Sequence, residues 1–374
     1  MHYPSLCVKI YPDMLRKGSY DMAGITLAER FTGCMLGGAL GDALGYPVEF
    51  LKQEQIFAEY GKNGITAMQV DKRLGCALIS DDTQMTLFTA EGIMWADALG
   101  AKKELSSYTT YVFYAYQRWL YTQERMLASR EYAHVLDKDG EFPSMLLGKE
   151  MCSQRAPGST CLSALKQAAD HNYGKLTKAI NNSKGCGGVM RVAPAGLYFC
   201  RDSERAFRMA AEFAAITHTH PTGYLAAGAL GAMIAELVAG SDIEEAVDVA
   251  MYILKSYDGC METYRALDHA RVLDAGTVPP LEAVQRLGEG WIAEEALAIA
   301  VYCALCHSGN FTNALLLSVN HDGDSDSTGA ICGNIMGAYL GESALPKKWL
   351  KKLELCDLIT EVADKLYDYT AAVE

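Results

Sequence analysis

The sequence predicts an all-α protein that folds as a single domain. Apolar residues recur at three- and four-residue spacing along most of the chain, as the buried face of a helix requires. Alternating runs typical of strands are almost absent, and the best strand candidate is the short stretch LCVKIY near the start. Half of the 374 residues are apolar and 21% are charged, so the chain can bury a large core.

Charge and cysteine usage exclude several classes of protein. The formal net charge is −13, which disfavours nucleic acid as a partner because such a surface needs a basic field. The twelve cysteines are scattered and the start of the chain lacks a secretion signal, so we expect reduced thiols and a cytoplasmic protein. The stretch YLAAGALGAMIAELVAG contains Glu236, and we expect a buried helix rather than a membrane span.

The first predicted helix, in GCMLGGALGDALGYPVEF, has a face without side chains. Glycine lowers helix propensity, so such a face indicates that another element approaches it closely. Asp42 and Glu49 interrupt the segment, which argues against dimerisation inside a membrane. The glycines that form the face recur every four residues at Gly33, Gly37, Gly41 and Gly45.

The next helix begins in ISDDTQMTLFTAEG. Ser80 or Asp81 can cap its first turn, and Gln84 can complete a capping box with Asp81. Capping explains one acidic residue but not the adjacent pair Asp81 and Asp82 followed by Thr83. Further helical patterns follow in ERAFRMAAEFAAIT, IEEAVDVAMYILKSY and AEEALAIAVYCAL, and one long pattern covers residues 347–373.

The stretch HDGDSDSTGA places aspartates at alternate positions. A calcium loop would have glycine at its sixth position and glutamate at its twelfth. Ser327 and Gly333 stand there instead, so this is not a calcium loop. Asp326 and Ser327 are predicted to cap the helix in TGAICGNIMGAYLG. Two helix N-termini that each offer two carboxylates and a hydroxyl make an oxygen-only site, which suits hard cations such as Mg²⁺ or Mn²⁺.

Six motifs in this order resemble those of the ADP-ribosylglycohydrolases, a family that includes the glycohydrolase reactivating dinitrogenase reductase. They are GCMLGGALGDALGYPVEF, SDDTQMT, APGSTCLSAL, SKGCGGVMRVAPAG, THTHP and GDSDSTGAICGNIMGA. The resemblance implies an all-α fold with two Mg²⁺ or Mn²⁺ ions at the base of an ADP-ribose cleft. It places the metal ligands at Ser80, Asp81, Asp82, Asp324, Asp326 and Ser327. Many members have threonine at the first and last positions, and serine keeps the hydroxyl.

The resemblance also assigns roles outside the ligand set. Glu49 matches a glutamate at the entrance to the metal site, and Glu49 and Asp82 are the candidates for proton transfer. His220 would bind the diphosphate or ribose, whereas His218 is expected to be a buried core histidine. The loop that would contact the ADP part comprises Gly185, Cys186, Gly187, Gly188 and Met190. Arg191 is expected to brace this loop, for example by pairing with a carboxylate. Asp42 is expected to orient a group beside the metals, and Asp322 to lie outside the ligand set.

The function implied is hydrolysis of the C1″ glycosidic bond of an ADP-ribosylated protein side chain, with arginine favoured. Two alternatives remain open: an immunity protein against an ADP-ribosyltransferase toxin, acting by hydrolysis or by binding the toxin, and a non-catalytic binding or structural relative. Residues 1–23 precede the first family motif and are predicted to form an N-terminal arm. Residues 24–374 are predicted to form the helical domain.

Overall fold

The computed structural model describes residues 24–100 and 105–372, so the predicted arm and the candidate strand LCVKIY lie outside the described part. The described residues form α-helices joined by turns and short 3₁₀ segments. They contain no β-strand, only isolated bridges such as the one between Ala77 and Leu353. The all-α prediction is confirmed.

Sixteen α-helices are described in these ranges. They are α1 (Leu27–Gly45), α2 (Gln53–Tyr60), α3 (Asp81–Ala98), α4 (Leu105–Glu124), α5 (Ser159–Lys166), α6 (Ala193–Tyr198), α7 (Ser203–Ala215), α8 (Pro221–Ala239), α9 (Ile243–Leu254), α10 (Met261–Asp274), α11 (Pro280–Leu287), α12 (Ala293–Cys306), α13 (Phe311–Val319), α14 (Ser325–Leu340), α15 (Lys347–Leu350) and α16 (Cys356–Ala371).

The glycine face of α1 packs against α14, which has glycines at the same spacing. The two helices run antiparallel with their backbones in direct contact. A Cβ atom added at Gly37 would lie 2.4 Å from the carbonyl oxygen of Gly333, and one at Gly337 would lie 1.9 Å from that of Gly33. The predicted close approach is therefore a helix–helix contact, and its partner is the helix that follows HDGDSDSTGA.

Helix α8 lies in the core beside α7 and α9. It is long and apolar enough to cross a membrane, but 83% of its most apolar window is buried inside the protein. Arg30 of α1 ties α8 to α14, because its guanidinium donates hydrogen bonds to the carbonyl oxygens of Leu237, Ala338 and Tyr339. These carbonyls belong to the last turns of the two helices, where a positive charge is stabilising.

The single helical pattern predicted over residues 347–373 is wrong in one respect, because the structure divides it into α15 and α16. Between them the backbone pairs with Ala77, whose amide donates to the carbonyl of Lys352 and whose carbonyl accepts from the amide of Glu354. Leu355 then adopts a left-handed φ of 58° before α16 begins. A long-range backbone pairing overrides the local helical pattern.

We predict that Gly337→Ala destabilises the protein. Alanine favours a helix over glycine by about 1 kcal/mol, but overpacking costs typically about 1–3 kcal/mol and is larger against rigid backbone. The measurement is the melting temperature of the variant, which should fall. Gly309→Ala is the matched control, since nothing lies within 4 Å of its added Cβ. A Gly337→Ala variant as stable as wild type would contradict the backbone contact.

Candidate metal centre

The first half of the site is the N-terminus of α3. Ser80 is the N-cap, and its hydroxyl accepts a hydrogen bond from the amide of Asp82 at 3.2 Å. The predicted capping box is wrong, because the Gln84 side chain instead contacts Trp119 and Gln123. Asp81 and Asp82 are both buried in the first turn, where the helix dipole favours negative charge.

Asp42 of α1 positions this helix end. Its carboxylate accepts the amide of Ser80 at 2.9 Å, the amide of Thr83 at 3.1 Å and a short hydrogen bond from the Thr83 hydroxyl. Burial raises the pKa of Asp42 to about 6, against the lowering effect of these hydrogen bonds. Asp42 therefore holds the acidic first turn of α3 in place.

The second half of the site is the N-terminus of α14. The prediction that Asp326 and Ser327 cap this helix is wrong, because the cap is Asp324, whose carboxylate accepts from the Ser327 amide. Asp326 and Ser327 lie inside the first turn, where the amide of Ser327 donates to Asp326 Oδ1 at 3.0 Å. An aspartate two residues earlier closes the turn equally well, which the sequence pattern does not reveal.

Glu49 lies beside the second half of the site. It follows the 3₁₀ turn Tyr46–Val48 at the end of α1 and is 7% exposed. One carboxylate oxygen each from Glu49, Asp324 and Asp326 lie within 4.8 Å of one another, a spacing that could hold a metal ion. The structure thus brings the predicted entrance glutamate to the α14 aspartates.

Burial raises the pKa of every acidic residue here for which a shift is resolved. The pKa of Glu49 rises to about 9 and that of Asp81 to about 8, first through burial and then through the neighbouring carboxylates. The same causes raise the pKa values of Asp82 and Asp326 well above the ordinary value. Ionising this group together without a compensating positive charge is unfavourable.

The protein itself supplies little of that compensation. Across residues 24–100 and 105–372, no lysine or arginine forms an ion pair with these buried acids. Glu49 Oε2 and Asp82 Oδ2 are buried and have no hydrogen-bond partner. Buried carboxylates are normally paired, hydrogen-bonded or bound to a metal. The oxygen-only donor set and the two orphaned oxygens fit a hard divalent cation.

The glycine-rich loop lies beside the acidic cluster. The thiol of Cys186 donates a 2.7 Å hydrogen bond to Asp324 Oδ2, and Met190 Sδ accepts from the Ser327 hydroxyl at 3.8 Å. Gly185 pairs with Ile292 in a short bridge, and Gly188 closes a single 3₁₀ turn. At Gly187 an added Cβ would lie 2.9 Å from Cys161 Sγ, so packing against this side chain favours glycine there.

His220 lies next to this loop but its hydrogen bonds point elsewhere. It caps α8, accepts from the Thr222 amide at 3.2 Å, and its own amide donates to the carbonyl of Ser183. His218 is buried and bonded to the Thr217 hydroxyl at 2.8 Å, as expected of a core histidine. Burial, with the nearby Arg191 cation, lowers the pKa of His218 to about 3.

The expectation that Arg191 pairs with a carboxylate is wrong. Its guanidinium donates to the Thr217 hydroxyl at 2.6 Å and to the carbonyl of Phe213, and it stacks 4.3 Å from the centre of the Tyr116 ring. The partners of this buried cation are neutral oxygens and a π face, and its Nε has no hydrogen-bond partner. The charge therefore braces the core beneath the loop without neutralising the acidic cluster.

Asp322 lies apart from the cluster, as predicted. Its side chain is 37% exposed, and it accepts the amide of Gln53 at 2.6 Å. Lys52 lies 3.6 Å from Asp322 and also pairs with Glu289 at 2.7 Å. The sequence does not predict this group of Lys52, Gln53, Glu289 and Asp322, because its members come from three distant segments and carry no motif.

Comparisons with known proteins agree with the geometry. The model of the family described as ADP-ribosylglycohydrolase matches residues 23–374. The chain is 26% identical to ADP-ribosyl-[dinitrogen reductase] glycohydrolase from Rhodospirillum rubrum, over 89% of this chain and 93% of that protein. It is also 26% identical to ADP-ribosylarginine hydrolase Tri1 from Serratia proteamaculans, over 91% of this chain and 79% of the relative.

A solved structure shares the fold. It is described as an ADP-ribosylglycohydrolase-related protein complex, with a TM-score of 0.62 and 22% identity over 92% of this chain and 99% of the other. At that identity the likeness concerns the fold alone. The family match spans nearly the whole chain and includes both helix N-termini of the acidic cluster. The protein belongs to the ADP-ribosylglycohydrolase family.

Proposed function

We propose that the protein is a metal-dependent hydrolase that removes ADP-ribose from a modified protein side chain, with arginine favoured, by cleaving the C1″ glycosidic bond. The observation that supports this most directly is the buried cluster of Glu49, Asp324 and Asp326 beside the aspartates of α3. A buried group of acids with orphaned oxygens is useful to a hydrolase that binds cations and unfavourable in a protein that does not.

The proposed cation ligands come from the two helix N-termini. Mg²⁺ or Mn²⁺ would neutralise the carboxylates and polarise the hydroxyl groups of the bound ribose. Two ions are proposed because each N-terminus offers two carboxylates and one hydroxyl. The residues proposed to hold them are Ser80, Asp81, Asp82, Asp324, Asp326 and Ser327.

Glu49 and Asp82 are proposed to move the proton. Cleavage of a glycosidic bond needs a proton delivered to the leaving atom and one removed from the attacking water. Each of these residues has a buried oxygen without a hydrogen-bond partner, Glu49 Oε2 and Asp82 Oδ2, that is available to such a proton. In the absence of a cation, burial and the neighbouring carboxylates raise the pKa of Glu49 to about 9, so this carboxylate is sensitive to the charge bound beside it.

The remaining parts of the proposal rest on position and on the relatives. The loop of Gly185–Met190 contacts the α14 N-terminus through Cys186 and Met190, which supports a role in binding the ADP part. His220 borders the start of the same loop and is proposed to extend that surface. Arginine is favoured because a relative that is 26% identical to this chain is named an ADP-ribosylarginine hydrolase.

We predict that turnover requires a hard divalent cation. The assay is release of ADP-ribose from proteins modified on arginine and, separately, on serine. Chelation with EDTA should abolish release, and Mg²⁺ or Mn²⁺ should restore it, because the carboxylate cluster lacks another counter-charge. Full activity after exhaustive chelation and dialysis would contradict the metal requirement. Faster release from serine than from arginine would overturn the arginine preference alone.

We predict that substitution by asparagine changes kcat to different extents at the three aspartates of HDGDSDSTGA. Asp324→Asn and Asp326→Asn should each lower kcat by on the order of 10²-fold or more, since losing a charged ligand costs several kcal/mol. Asp322→Asn, which keeps its shape at the half-exposed site, is the matched control and should change kcat far less.

Melting temperatures of the three variants show whether a loss of kcat results from unfolding. Asparagine caps a helix about as well as aspartate. A purely capping role would therefore leave Asp324→Asn nearly silent. Equal and mild effects at all three positions would show that these aspartates do not hold metal.

We predict that metal stabilises the protein more at high pH than at low pH. The folded pKa values of Asp42, Asp81 and Glu49 are raised from 3.8–4.5 to about 6, 8 and 9, so the metal-free protein loses stability as pH rises through this range. The increase in melting temperature on adding Mg²⁺ or Mn²⁺ should be larger at pH 9 than at pH 6. Asp326→Asn should reduce that difference, and Asp322→Asn should not. Equal increases in melting temperature at both pH values would contradict the coupling between metal binding and deprotonation of these acids.

A further inference from the structure

Two aromatic side chains lie exposed side by side next to the acidic cluster. Phe50 is 71% exposed and Trp291 is 38% exposed. Their ring centroids are 5.8 Å apart and the ring planes differ by 21°, so the two rings are stacked. A large exposed aromatic pair is uncommon on a soluble surface and is typical of a binding site.

Both rings are fixed to the segments that carry the acids. Phe50 directly follows Glu49 in the chain. The segment of Trp291 contacts α14, because the amide of Asp324 donates to the carbonyl of Glu289 at 2.8 Å. The amide of Cys186, whose thiol bonds to Asp324, donates to the carbonyl of Trp291 at 3.2 Å. The backbone segments that carry the aromatic pair therefore lie directly beside the acidic cluster.

One carboxylate contacts Trp291, and a second is linked to the first through Lys52. The indole N–H of Trp291 donates to Glu289 Oε2 at 3.2 Å, and the side chains of Glu289 and Asp322 are 47% and 37% exposed. Lys52 joins these two acids at 2.7 and 3.6 Å, leaving the group with more negative than positive charge. We call Phe50, Trp291, Glu289 and Asp322 the acidic aromatic rim.

We propose that the acidic aromatic rim recognises the guanidinium of the modified arginine, and so determines specificity for the leaving group. This inference rests on the proposed function and deepens it. A guanidinium is planar and cationic, stacks on aromatic faces and donates several hydrogen bonds to carboxylates. A modified serine offers neither a charge nor a plane.

The position of the rim indicates that it contacts the leaving group and not the adenine. The leaving group is bonded directly to C1″, whereas two riboses and a diphosphate separate the adenine from the bond that breaks. Phe50 is bonded to Glu49, which contributes an oxygen to the acidic cluster. A side chain held one residue from that cluster is therefore placed to meet the group attached at C1″.

The test compares two peptides of the same sequence, one ADP-ribosylated on arginine and the other on serine. Phe50→Leu and Trp291→Leu keep apolar bulk and remove the π face, while Trp291→Tyr retains a π face. One cation–π contact is worth about 0.5–1 kcal/mol, so each leucine variant should raise KM for the arginine peptide about two- to fivefold. The KM for the serine peptide should rise less, and Trp291→Tyr should restore most of the arginine preference.

Two further measurements identify what the rim binds. The inhibition constant of free ADP-ribose should not follow the KM of the arginine peptide across the variants. Tyr252→Leu, at an aromatic residue 62% exposed on α9, is the matched control for loss of a surface ring. Equal rises in KM for both peptides, or a parallel rise in the inhibition constant, would show that the rim binds the ADP-ribosyl part. Unchanged KM values in both leucine variants would also overturn the proposal.

A binding experiment distinguishes failure of this inference from failure of the proposed function. If wild-type protein with Mg²⁺ or Mn²⁺ releases ADP-ribose from neither peptide, the proposed function is contradicted. Calorimetric titration with the same peptides then tests the rim directly. Wild type should bind the arginine peptide more tightly than the serine peptide, and Phe50→Leu should reduce that difference. Equal affinities in wild type would overturn recognition of the guanidinium.

Discussion

The backbone contact between α1 and α14 is the constraint on which the acidic site depends. The contact runs from Gly33 and Gly337 at one end to Gly45 at the other, where an added Cβ would lie 2.1 Å from the carbonyl oxygen of Ser325. That last contact is at the first turn of α14, where Asp324 and Asp326 lie. Because the helices are antiparallel, the end of α1 that leads into Glu49 is held against this turn. A larger residue in the contact would separate Glu49 from the aspartates.

The same helix end also orients α3. Asp42, one turn before the end of α1, accepts hydrogen bonds from two amides and a hydroxyl at the start of α3, so α1 connects the two acidic N-termini. Helix dipoles and backbone amides offset part of the cost of burying several acids together. They do not offset all of it, as the raised pKa values of Glu49 and Asp81 show. The fold holds an electrostatically unfavourable group that a divalent cation would relieve.

The sequence predicted the parts of this arrangement that are local. Helical periodicity, the glycine spacing and the two Asp-rich turns are each contained within about 20 residues, the length over which such patterns are informative. The partner of the glycine face was missed, although α14 repeats the same four-residue spacing. The break before α16 depends on Ala77, far away in the chain, and the neutral partners of Arg191 depend on how α7 packs. No local pattern carries that information, and the same holds for the pairing of Phe50 with Trp291.

Two of the buried acids differ from the others in their hydrogen bonding. Both oxygens of the fully buried Asp42 accept hydrogen bonds at the start of α3, and both oxygens of Asp324 accept them from Cys186 and Ser327. Asp322 is 37% exposed and lies outside the buried cluster, bonded to the Gln53 amide and to Lys52. Glu49 and Asp82 each keep one buried oxygen without a partner. Since a buried carboxylate oxygen is rarely left unsatisfied, these two atoms mark the side of the cluster that is open to a cation or a proton.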